Sequence, residues 1–241
     1  MSSSEPPKCR FIVTGFGPFF GVSINPTMIL VQRLEKELDT LASTMGIDVI
    51  KALILETSAE AVRKELDDIH QEICSDPNLA GCHVVFLHLG VNYMGKKFQL
   101  ENSAYNDATF RVPDERGYQP HGICILEGST CSKSTKSKGV HQFGKSLRTT
   151  LRLKEVCSML EMESNAQPVF ISNDPGRFVC NYTYCMSLDK CLSSAENSQS
   201  DNETKYHSLF VHVPPFRVIP EDNQYVFVLE IMKKIQQQLI K

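Results

Sequence analysis

Hydrophobic and polar positions along this chain switch repeatedly between a period of two and a period near 3.6. Arg10-Phe11-Ile12-Val13-Thr14, Asp48 to Leu55 (DVIKALIL) and His83 to Gly90 (HVVFLHLG) are short apolar runs of strand length. Between them lie two helical patterns. Asn25-Pro26 opens the first, with Asn as cap, Pro in the first turn and Ile29, Leu30, Leu34 and Leu38 on one side. Ser58 caps the second, a charged amphipathic helix to about Ile73. Strand and helix alternating in this way imply parallel βαβ units, and the unbroken apolar character of 83–90 suits a sheet covered on both faces. Further on, Lys97 to Ala104 reads as a short strand. Leu147, Leu151, Val156, Met159 and Leu160 predict a long helix from about Val140 to Glu163. Pro168 to Ile171 is a buried strand followed by a helix from about Val179; Ser208 to Val213 is another strand, closed by Pro214-Pro215. Glu221 to Ile240 forms a terminal amphipathic helix. Residues 121–139, Ser129 to Lys138 above all, and 193–206 have no period and are expected as surface loops of a single domain spanning 1–241.

Composition narrows the class of function. The 41% hydrophobic and 22% charged residues describe a chain able to bury its own core, and a net charge of -3 offers no electrostatic case for nucleic acid or an anionic membrane. No apolar run is long enough to cross a bilayer, and Met1 to Lys8 lacks the hydrophobic segment of a secretory signal, so a cytosolic location is expected. Nine cysteines, an odd number without CxxC spacing, point to reduced thiols rather than a zinc site or a disulfide framework. His121, Cys124 and Cys131 are too dispersed to hold a metal.

The chemistry concentrates in Ser172 to Met186 (SNDPGRFVCNYTYCM). Asn173, Asp174, Pro175 and Gly176 form a turn after a buried strand, and Cys180 falls in the first turn of the helix that follows. Unpaired amides and the helix dipole favour an anion there, so a thiol of ordinary pKa ~8.5 gains thiolate character. A second unusual stretch is Gly15-Phe16-Gly17-Pro18-Phe19-Phe20-Gly21, which sets large rings on a backbone unable to form a regular element. At the carboxyl end of a strand it can wall a pocket or plug the core. His88, inside a buried strand, reads as a hydrogen-bonded core histidine. His212 stands at the carboxyl end of its strand, as Cys180 follows the end of another, so the two can meet across one edge of the sheet.

Four blocks in order, TGFGPF with Asn25-Pro26, Glu101 ahead of Asn106 and RVPDERGYQP, PGRFVCNYTY, and FVHVP, together resemble the pyroglutamyl peptidase I (pyrrolidone-carboxylate peptidase) family of cysteine peptidases over most of the chain. The resemblance implies a three-layer α/β/α sandwich with a mixed, mostly parallel central sheet. It further implies Cys180 as nucleophile, His212 as general base and acid, and Glu101 as the carboxylate orienting the imidazole. Substrate-binding positions would be Phe16, Phe19, Val91, Val112, Phe178 and Val179. The implied reaction removes an N-terminal 5-oxoprolyl residue from peptides through a thioester, with no metal or organic cofactor. Oligomeric state stays open. The chain departs from the family pattern at Asn102, where arginine is common, and at Pro175, where alanine is usual. The alternative to an active peptidase is a catalytically impaired member acting as a binding protein.

Overall fold

The computed structural model describes residues 8–126, 128, 142–197 and 203–240. In chain order the elements are β1 (Cys9–Phe16), α1 (Pro26–Thr40), β2 (Asp48–Leu55), α2 (Ala59–Cys74), β3 (His83–Val91), β4 (Phe98–Glu101), β5 (Ser103–Tyr105), β6 (Ser146–Arg148), α3 (Leu153–Glu161), β7 (Val169–Ser172), α4 (Val179–Asn197), β8 (Lys205–Val213) and α5 (Glu221–Leu239). The expected caps form: the Asn25 side chain accepts from the Thr27 amide with Pro26 first in α1, and Ser58 accepts from the Ala61 amide in α2.

Six of these strands form one sheet in the order β2-β1-β3-β8-β4-β7. β2, β1, β3 and β8 are parallel, whereas β4 pairs antiparallel with β8 and parallel with β7. The apolar run of β3 resolves into two alternating sets. Val85, Leu87 and Leu89 join Leu209, Val211 and Val213 of β8 in a core under α1, α3 and α5. Phe86, His88 and Gly90, in register with Ser208, Phe210 and His212, occupy the opposite face beneath α2 and α4. The architecture is thus the three-layer sandwich with a mixed, mostly parallel sheet, and the α2/α4 face carries the polar residues.

Three expectations about the bounds of elements need correction. The long helix expected from Val140 forms only over α3, because Leu147 instead pairs with Ala104 in the β5–β6 ladder, and residues 129–141 lie outside the described residues. Polar composition at 193–206 predicts a loop, yet α4 runs on to Asn197 and β8 already begins at Lys205; the part between, 198–202, lies outside the described residues. Lys97 to Ala104 is broken at Asn102 into β4 and β5, which join different sheets. The expected Ser129–Lys138 loop, with Cys131, also lies outside the described residues. Cys9, Cys74, Cys82, Cys157, Cys180, Cys185 and Cys191 are free thiols, while Cys124 is disulfide-bonded, an exception to the expected reduced state. Among the described residues no helix is long and apolar enough to cross a membrane.

Candidate active site

Cys180 reaches His212 by a different route from the one the strand pattern suggests. β7 runs antiparallel to β8, so its carboxyl end does not lie on the edge where His212 sits. The turn from Asn173 to Phe178 carries the chain to the start of α4, which then packs along β8. This places Cys180 beside Gly90, the register partner of His212. The approach is so close that a Cβ on Gly90 would lie 3.1 Å from Cys180 Sγ and 2.6 Å from the Phe210 ring. Only glycine leaves that space open.

Asn181 fixes the helix start. Its buried carboxamide donates to the carbonyls of Tyr105 (2.8 Å) and Asp107 (3.0 Å) and accepts from the Tyr105 amide (2.8 Å). Arg177 braces the turn before it through Asp174 (2.6 Å) and Asp107 (3.3 Å) and stacks on the Tyr105 ring. Asn102 and Pro175 belong to this framework: Asn102 donates to the Asn173 side chain at 2.9 Å, and Pro175 lines the cleft. In the first turn of α4, the amides of Val179 and Cys180 have no carbonyl four residues back within the helix, leaving donors and the positive end of the dipole beside the thiol.

His212 is the centre of the charged group. Its Nδ1 lies 2.8 Å from Glu101 Oε1, and Cys180 is near enough to act on the ring's titration. Burial lowers its pKa more than any other single influence. The hydrogen bonds and charges of Cys180 and Glu101 together outweigh it, and the imidazole is pushed up to about 9. The raised value favours the protonated imidazole at neutral pH. Glu101 is fully buried, and its Oε2 has no partner among the described residues, so the imidazolium is the charge that compensates it. A second thiol on this helix, Cys185, is fully buried and burial pushes its pKa up, the environment of an inert core cysteine.

A cleft of about 650 Å³ opens over this group, with Cys180 and His212 in its lining. Of the expected pocket residues, Phe16, Phe19, Val91, Phe178 and Val179 line it. Val112 does not: it is exposed in a bend of the chain, and its neighbour Arg111 takes the lining position. The aromatic loop both walls the cleft and is anchored in the core. Phe16 is buried with its amide donating to Thr27 Oγ1 (2.9 Å), and the Asn25 amide donates to the Gly17 carbonyl (3.0 Å). Phe20, by contrast, is exposed and outside the lining. His88 is the expected core histidine, with Nδ1 2.8 Å from the Thr14 hydroxyl.

Sequence reasoning missed Thr57, Asn92 and Gln99, all of which line the cleft. The Thr57 hydroxyl is buried with no partner among the described residues, a polar group available to a bound molecule. Its signal was present in the sequence, because Thr57 follows the carboxyl end of a parallel strand, where ligands of such sheets gather.

A family model described as pyroglutamyl peptidase matches residues 9–233. The pyrrolidone-carboxylate peptidase of Pyrococcus furiosus is 25% identical over 88% of this chain and 82% of its own length. The human pyroglutamyl-peptidase 1 is 27% identical over 88% and 81%. Among solved structures, pyroglutamyl peptidase I of Bacillus amyloliquefaciens superposes with a TM-score of 0.71 at 18% identity, covering 95% of this chain and 97% of that one. The pyrrolidone carboxyl peptidase of Fervidobacterium islandicum gives 0.69 at 24% identity, over 94% and 99%. At these identities the solved structures establish likeness of fold.

Proposed function

The chain belongs to the pyroglutamyl peptidase family, and we propose from that premise that it is a cysteine exopeptidase removing N-terminal 5-oxoproline from peptides. The observation that carries this reading is the buried Glu101–His212 pair, with His212 and Cys180 together in the lining of an aromatic cleft. Cys180 acts as nucleophile, His212 as general acid and base, and Glu101 as the group orienting and stabilising the imidazolium.

In the first half-reaction the Cys180 thiolate attacks the exocyclic carbonyl carbon of the 5-oxoprolyl residue. Its oxygen takes the negative charge beside the amides that open α4. As the C–N bond breaks, His212 gives its proton to the departing amine, leaving a thioester and the shortened peptide. In the second half-reaction neutral His212 takes a proton from water, whose oxygen attacks the thioester. 5-Oxoproline leaves, and the thiolate–imidazolium pair is restored. Phe16, Phe19 and Phe178 suit the flat, neutral lactam, while the charged amine of an N-terminal proline would enter such a slot at a cost of several kcal/mol. Among the described residues seven cysteines are free thiols and Cys124 is disulfide-bonded, a balance that supports a reducing, cytosolic setting.

The test compares pyroglutamyl, prolyl and glutamyl arylamides. Hydrolysis of the first with discrimination of at least about a thousandfold in kcat/KM supports the reading, each ~1.4 kcal/mol being a factor of ten. Comparable rates on all three, or none on any, overturn it.

A further inference from the structure

Gln99 lies on β4 as the register partner of His212, and both side chains line the cleft. The direction of its carboxamide follows from a chain of hydrogen bonds with one unambiguous end. The backbone amide of Met94, a donor only, reaches Asn92 Oδ1 at 3.2 Å, which fixes that oxygen as acceptor. Asn92 Nδ2 must then donate, and its acceptor at 2.9 Å is Gln99 Oε1. With its oxygen committed, Gln99 presents its Nε2 donors to the cleft, and no acceptor for them occurs among the described residues. The group is half-buried and held by Asn92, a partly preorganised donor rather than a solvated surface amide.

We propose that Gln99 Nε2 is the recognition donor for the leaving peptide, bonding the backbone carbonyl of the residue that follows 5-oxoproline. The proposal rests on the hydrolase reading and extends it from the lactam to the other side of the scissile bond. His212 must reach the departing nitrogen to protonate it, so the leaving group lies on the His212 side of Cys180. The oxyanion donors at the start of α4 belong to the opposite partner of the attack, the thiol's own helix. Gln99 is the neighbour of His212 across the β4–β8 pair, and the first acceptor beyond the departing nitrogen of a peptide is the carbonyl of that same residue. An arylamide has no carbonyl there. Peptides and arylamides should therefore separate on this contact alone.

The experiment uses the full-length chain with two substrates, pyroglutamyl-alanine amide and a pyroglutamyl arylamide. Variants are Gln99→Leu, Gln99→Glu and Asn92→Ala. Gln99→Leu should lower the ratio of kcat/KM for the peptide to that for the arylamide roughly 3- to 20-fold, the effect of one hydrogen bond. Gln99→Glu should lower it at least as far, because an ionised carboxylate has no donor to offer the carbonyl. Asn92→Ala should lower it less, since the donor survives without its orientation; this variant also keeps the test alive if Gln99→Leu fails to fold. An unchanged ratio in all the folded variants, whether both rates fall together or neither falls, overturns the assignment. Wild-type protein inactive on both substrates would defeat the hydrolase reading itself, a different result from active wild type with an unchanged ratio.

Discussion

Replacing Glu101 with glutamine removes the buried charge facing His212 while keeping the size of the side chain. Oε1 stands 2.8 Å from Nδ1 in a fully buried position, so solvent screens the contact weakly. A hydrogen bond to a charged group contributes about 1.5–3 kcal/mol, and each pKa unit corresponds to ~1.4 kcal/mol. Burial already depresses the imidazole, and its pKa of about 9 depends on Cys180 and Glu101 to overcome that. Glu101→Gln should therefore lower the His212 pKa by roughly one to two units. The sign for stability follows from a folded value raised above the ordinary one of about 6.5. The contribution is fully present below about 6.5 and is lost as pH rises through about 9, and the variant closes that window from the alkaline side. For catalysis, weaker support of the imidazolium should reduce kcat roughly 10- to 100-fold at neutral pH. The assay is an initial-rate pH profile with a fluorogenic pyroglutamyl arylamide, accompanied by thermal melts over the same range. A lower kcat with the alkaline limb moved to lower pH is the expected result. An unmoved limb with only KM raised would refute the reasoning and make Glu101 a substrate contact.

Three further outcomes follow from the geometry around the nucleophile. Cys180→Ala should abolish turnover while Cys185→Ser keeps most of it, because five residues along a helix turn the second thiol by about 140° into the core; equal losses in two folded proteins would contradict this. Gly90→Ala should lower Tm by roughly 2–12 °C, from ~1–3 kcal/mol of overpacking, and should lower kcat as Phe210 or Cys180 gives way. A variant with wild-type melting and kinetics would show that the close approach is not needed. Asn181→Leu, which strips three hydrogen bonds from the start of α4, should destabilise the chain by about 2–4 kcal/mol in a denaturant titration and reduce kcat more than it raises KM; the reverse split would place Asn181 in substrate binding.

Local signals in the sequence carried the parallel half of the molecule. Asp48–Leu55 and the caps at Asn25 and Ser58 form where turn chemistry and periodicity place them, since each depends on residues a few positions apart. The antiparallel half was not legible in the same way. Nothing in Val169-Phe170-Ile171-Ser172 encodes which way its neighbour runs, and that direction decides how Cys180 reaches His212. Leu147 and Leu151 meet a helical spacing with α3, yet Leu147 is claimed by a strand more than forty residues earlier. The same non-local pairing hid Gln99: its place beside His212 exists only because β8 inserts between β3 and β4. Glu101 and His212 themselves could be found from the resemblance of their sequence blocks, but the buried Thr57 hydroxyl, without a partner among the described residues, and the Asn92–Gln99 relay required side-chain geometry.

The most direct test of the central claim is to trap the acyl-enzyme. Wild-type protein mixed with a pyroglutamyl arylamide and quenched rapidly in acid, then measured by intact mass spectrometry and peptide mapping, should carry one added pyroglutamyl group on the peptide containing Cys180. The Cys180→Ala protein should carry none and should not turn the substrate over. Turnover that persists in Cys180→Ala, or an adduct that maps to another cysteine, would contradict the account.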